Sequence, residues 1–288
     1  MSGQGIYNWK DGSRYEGNFE NDKMNGQGIY NWKDGNRYEG NFENGQSSGH
    51  GIYYWVNGDK YVGNFLNDKQ NDLGTQIYAS GDKYEGNWKD GLKHGQGIYN
   101  WQSGDKYEGN WKNDKINGKG SNTYANGNQY KGNWMDGLMN GQGIYTWKNG
   151  SWYEGNFENS ERNGQGIMTY ADGDQYNGNW RDGIKHGQGI YSWKSGHSYS
   201  GQYENGFQHG QGEQLHDSST MYSKYEGSWL NGTKSGNGTL IWTDGCKYVG
   251  NFENDLKHGY GSILFAKSNN ELAPYKYEGI LLVVRMRT

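Results

Sequence analysis

Two short runs in which bulky residues alternate with small or polar ones recur along the chain. Tyr15-Glu16-Gly17-Asn18-Phe19 is one, and Gly28-Ile29-Tyr30-Asn31-Trp32 is the other. Alternation with a period of two, bounded by Asp, Asn and Gly, predicts β-strands, and no segment shows the helical period. The first run returns at Tyr38, Tyr61, Tyr84, Tyr107, Tyr130, Tyr153, Tyr176 and Tyr199, always 23 residues on, and again at Tyr225, Tyr248 and Tyr277. A glycine follows each of these tyrosines two residues later, and an aromatic follows four residues later except at Leu281. A Gly-x-Gly pair comes next, as in Gly26/Gly28 and Gly95/Gly97, with Asp72 replacing the first glycine in one repeat. Asp34-Gly35, Asn57-Gly58, Ser103-Gly104 and Asn126-Gly127 mark tight turns. Each repeat therefore reads as one β-hairpin, and the hairpins as an all-β antiparallel meander. The register expected sets Tyr15 opposite Trp32, Phe19 opposite Gly28 and Gly17 opposite Tyr30, so that rings lie over the gaps glycine leaves.

Composition narrows this picture. The chain carries 51 Gly, 26 Tyr and 13 Trp but only 7 Phe, 1 Pro and 1 Cys, with a formal net charge of −4 over 288 residues. Aliphatic residues are too few for a thick core, and the abundance of aromatics excludes a disordered chain. The near-neutral balance leaves no nucleic-acid footprint. The opening Met-Ser-Gly-Gln-Gly carries no apolar run of the signal-peptide kind, Ile280–Val284 is too short to span a bilayer, and Cys246 has no second cysteine to bridge. A reducing, cytoplasmic setting is the expectation.

The unit Tyr84-Glu85-Gly86-Asn87-Trp88…Gly95-Gln96-Gly97…Gly104 resembles the MORN repeat. The resemblance runs through residues 1–265 as a continuous array: a partial unit, then repeats starting at Tyr15, Tyr38, Tyr61, Tyr84, Tyr107, Tyr130, Tyr153, Tyr176, Tyr199, Tyr225 and Tyr248. Residues 266–288 read as an insertion plus a partial terminal repeat. The resemblance implies an elongated, twisted, groove-like single-layer sheet and a non-enzymatic scaffold that binds other proteins of a large assembly. Gly-Gln-Gly-Ile-Tyr-x-Trp and Tyr-Glu-Gly-Asn-Trp resemble the radial spoke head members in particular, which implies a cytoskeletal place in the axoneme of a cilium. Peripheral phosphoinositide or membrane binding is the alternative the family suggests. It needs a basic face, which the interleaved glutamates disfavour. Choline- or glucan-binding cell-wall repeats share the composition but not the spacing.

Candidate chemistry is sparse, and no cofactor or metal is expected. His94, His186, His209 and His258 occupy one slot before the Gly-x-Gly pair, in equivalent turns. Successive repeats stand about 9.6 Å apart, too far for two such histidines to share a zinc. Glu16, Glu39, Glu85, Glu108 and Glu154 form a solvated ladder, mostly with Arg or Lys two residues earlier. Gly-x-Gly follows the repeat and no βα turn, so it is no phosphate loop. No catalytic set stands out from the repeat. The position before the repeat tyrosine holds Arg, Lys, Gln or Ser except at Trp152, a candidate partner anchor because Trp is enriched at hot spots. Trp88, Trp111, Trp134 and Trp180 on the aromatic face join it as candidate partner contacts, besides their packing role. The insertions at 213–224 and 266–276 are expected to break the meander and bulge from its edge. Open sheet edges leave room for strand pairing or a homo-oligomer.

Overall fold

The computed structural model describes residues 2–217, 219–266 and 276–281. Two compact units divide the chain, Met1–Lys148 and Asn149–Thr288. Among the described residues, thirteen strands from Gly3–Asn8 to Leu138–Thr146 make up the amino-terminal unit, and eleven from Trp152–Glu158 to Lys276–Leu281 the carboxy-terminal one. No described residue is helical. Within each unit sequence neighbours pair antiparallel, as Arg14–Glu20 does with Lys23–Asn31 and Gln175–Arg181 with Ile184–Ser192.

Two kinds of turn alternate. Inside a repeat the strands join through two residues that both have positive φ, such as Asn21 (49°) and Asp22 (61°), or Asp90 (52°) and Gly91 (85°). That pairing defines the type I′ turn, whose twist suits a hairpin, and Asn, Asp and Gly are the residues that tolerate it. This turn is not among those expected from the sequence. Between repeats the chain turns at Asp34-Gly35 as expected: Gly35 N–H donates to the Trp32 carbonyl at 3.1 Å, and Trp32 N–H to that of Asn36 at 3.0 Å. Trp32 therefore starts the loop and does not end the strand.

The register differs from the expectation. Tyr15 lies opposite Tyr30, not Trp32, and Gly17 opposite Gly28. Beyond that pair Phe19 lies opposite Met24, so the partner strand carries two extra residues in a bulge. Gly26, in the bulge, has φ of 78°; Asp72 holds the same position at 59°, which explains why Asp can stand there. The Tyr15 hydroxyl donates to the Asn18 carbonyl at 2.9 Å and pins the bulge. Rings do cover the glycines, but diagonally. A Cβ on Gly28 would overlap the Tyr15 ring, and one on Gly17 would sit 2.7 Å from the Gln27 carbonyl.

One face of each unit carries the core. Tyr15, Phe42, Tyr38, Phe65 and Tyr61 meet edge to face at 5.0–5.1 Å, and the row continues through Trp88, Tyr84 and Trp111. In the carboxy-terminal unit Tyr153, Trp180, Tyr176, Tyr203, Tyr199 and Trp229 repeat the pattern. Edge-to-face pairs at such separations contribute about 0.5–1.5 kcal/mol beyond burial. Eleven tyrosines from Tyr15 to Tyr248 are fully buried in these rows.

Contrary to the expectation from the sequence, the insertion before Lys224 does not break the meander. Gly212 pairs with Gly227 and Leu215 with Lys224, so the extra residues only lengthen the loop. The second insertion lies largely outside the described residues; past it, Lys276–Leu281 pairs with Leu256–Leu264.

Candidate interaction surface

Each sequence candidate falls in a definite place. Trp88, Trp111, Trp134 and Trp180 are 4–8% exposed, and each indole N–H donates to a glycine carbonyl of the preceding repeat at 3.2–3.3 Å. They are first of all members of the buried row. Trp152 lies opposite Thr169 on the other face and is half-buried.

A second aromatic row, half-buried, was not singled out from the sequence. Trp9, Tyr30, Trp32, Tyr53 and Trp55 run along it with centroids 4.5–5.3 Å apart. Tyr99 with Trp101 continues it at 4.5 Å, and in the carboxy-terminal unit Tyr191 with Trp193 forms an equivalent pair at 4.7 Å. The between-repeat loops hold this row in place. One side chain per loop accepts a backbone N–H twenty residues on: Asp59 from Ala79 at 2.8 Å, Asp82 from Gln102 at 2.8 Å, Asp174 from Lys194 at 2.9 Å. Asp174 also accepts from the Tyr191 hydroxyl at 2.8 Å, and the carboxylate, after burial, holds that phenol above its ordinary range.

Cations enter this face at one slot, nine residues after the repeat tyrosine and across the hairpin from the second ring. Met24, Ser47, Gln70, Lys93, Ile116 and Met139 fill it in the amino-terminal unit; Arg162, Lys185, Gln208, Lys234 and Lys257 fill it in the other. The Arg162 guanidinium lies 4.3 Å from the Trp180 ring centroid, Lys185 Nζ 4.7 Å from Tyr191 and Lys257 Nζ 4.2 Å from Trp242. Such contacts over ring faces are favourable cation–π geometry. Burial nonetheless pushes Lys185, Lys234 and Lys257 below the usual lysine range, and the neighbouring charge of Arg162 lowers Lys185 further.

The opposite face is polar and open. Arg14 reaches Glu16 at 2.6 Å, Arg37 reaches Glu39 at 2.7 Å and Lys83 reaches Glu85 at 2.8 Å, all solvent-exposed pairs worth little. The four repeat histidines lie on the bulged strands and not in turns. His209 Nε2 stands 3.3 Å from Glu204, and His258 Nδ1 3.3 Å from Glu253. Among the described residues no three His, Cys, Asp or Glu side chains stand close enough to hold a metal, and no helix is long and apolar enough to cross a membrane.

The MORN repeat model matches twelve segments: 1–14, 15–37, 38–60, 61–83, 84–106, 107–129, 130–152, 153–175, 176–198, 199–218, 225–247 and 248–269. No curated protein matches the chain. Two solved structures overlap it loosely. One is the TCP domain of SAS-4 from Drosophila melanogaster in complex with a proline-rich motif of Ana2, at 14% identity and TM-score 0.31, covering 59% of this chain and 84% of that one. The other is a streptogramin B lyase, at 12% identity and TM-score 0.15, covering 86% and 90%. Likeness at that level carries no argument about fold or function.

Proposed function

The chain belongs to the MORN-repeat family, and on that premise we propose that it is a non-enzymatic scaffold whose aromatic face holds other proteins of a large assembly. MORN repeats serve as protein-interaction or membrane-binding modules. The observation that favours protein is the half-buried second row, from Trp9 to Trp55 and on through Tyr99 and Trp101. Tyr and Trp fixed in place, apolar on the ring and polar at one end, are what interface centres are made of. Trp152 on the other face offers a second anchor. The residues that resemble radial spoke head proteins support the finer reading, an axonemal component of a cilium. Cross-linking mass spectrometry on native ciliary extract tests both levels. Recurrent links to spoke proteins support the axonemal reading. Links to other proteins keep the scaffold and discard the axoneme. An absence of any protein link, together with co-sedimentation on phosphoinositide vesicles, overturns the scaffold in favour of a membrane role.

A further inference from the structure

We propose that the aromatic face of the carboxy-terminal unit takes an acidic, extended segment of a partner protein, its carboxylates received by Arg162, Lys185, Lys234 and Lys257. This rests on the scaffold reading and specifies the partner's chemistry.

Three observations carry it. All four cations are half-buried among rings; the Arg162 guanidinium donates to the Gly183 carbonyl at 2.6 Å, whereas the lysines are poorly compensated. Lys185 and Lys257 have no carboxylate within ion-pair distance among the described residues, and Lys234 reaches Asp255 only at 3.9 Å. Desolvated like charges gathered on one face favour an incoming anion. Next, the fold does not require these charges, because Met24 and Met139 occupy the same slot in other repeats. A cation kept where methionine fits is a feature of recognition.

Spacing supplies the third observation. Successive slots lie two strands apart, about 9.6 Å, while an extended chain advances about 3.3 Å per residue, so three residues span about 10 Å. An acidic residue at every third position therefore meets successive slots. Gln208 interrupts the series, so the matching segment has acids at i, i+3, i+9 and i+12 and a neutral residue at i+6. The residues between lie along the two aromatic rows.

Isothermal titration calorimetry on the full chain tests this with a synthetic peptide carrying glutamates at those positions. A control peptide has the same composition with its glutamates contiguous. The spaced peptide should bind at least ~10-fold tighter than the control. Lys185→Met and Lys257→Met should each weaken it ~5- to 10-fold with no loss of thermal stability, since methionine already occupies this slot elsewhere. Lys93→Met, in the other unit, should leave binding unchanged. Equal binding of the two peptides, or no loss in either carboxy-terminal variant, overturns the proposal. Neither result touches the scaffold reading, which stands or falls on the cross-linking.

Discussion

In the amino-terminal unit the slot nine residues after the repeat tyrosine holds Met24, Ser47, Gln70, Ile116 and Met139 around a single cation, Lys93. In the carboxy-terminal unit the same slot holds Arg162, Lys185, Lys234 and Lys257 around a single neutral residue, Gln208. Around the slot little else changes. Tyrosine stays fully buried, the Gly–Gly pair stays beneath it, and both units turn through residues of positive φ. The rings and glycines make the frame, and the slot is where repeats can differ without disturbing it.

If the frame is common, equivalent damage in either unit should cost the same. Tyr107→Ala and Tyr199→Ala should each destabilise by about 3–5 kcal/mol, because a buried ring and its hydroxyl bond to the bulge are lost together. Urea unfolding measures both. A loss below about 1 kcal/mol in one unit breaks the comparison.

Alkali should attack both units alike. Burial raises the phenols of the row, with Tyr153 and Tyr225 pushed up to about 12. A phenol whose folded pKa exceeds its unfolded value near 10 stabilises the fold fully below pH 10. That stability is lost as pH rises from about 10 to 12, by about 2–3 kcal/mol for a shift of two units. Circular dichroism should show unfolding across that window, and a signal flat to pH 12 contradicts the burial of the row.

Much of the frame was legible in the sequence because one residue type sits at one place in nearly every repeat. Strands, meander and the Asp34-Gly35 turn followed from period and spacing. Register did not. Tyr15 reaches diagonally over Gly28 across a bulge, and a strand pattern of period two gives no sign of two inserted residues. The turn inside the repeat was hidden because its second residue varies, Asp22 in one repeat and Gly91 in another, although both take positive φ. The cation slot was equally hard to see: lysines are common on polar faces, and only the pairing of Lys185 beside Trp180 places it among the rings.

Smaller effects sharpen the comparison. Lys185→Met should leave stability unchanged or raise it by up to about 1 kcal/mol near pH 7, because a desolvated, uncompensated charge is removed. A loss above that size in chemical denaturation makes the cation part of the frame. Asp72→Gly should stabilise the amino-terminal unit by about 0.5–1 kcal/mol, since glycine takes positive φ without strain. A lower melting temperature would mean that the Asp72 side chain does more than tolerate its φ.

Hydrogen exchange with and without the spaced acidic peptide compares the two units within one molecule. The account predicts added protection in Glu161–Thr169, Ile184–Ser192, Thr233–Trp242 and Leu256–Leu264, the strands that carry the cations. Lys23–Asn31 and Leu138–Thr146, which carry Met24 and Met139, should stay as they were. Equal or greater protection in those two strands would contradict a division between a shared frame and a recognition slot.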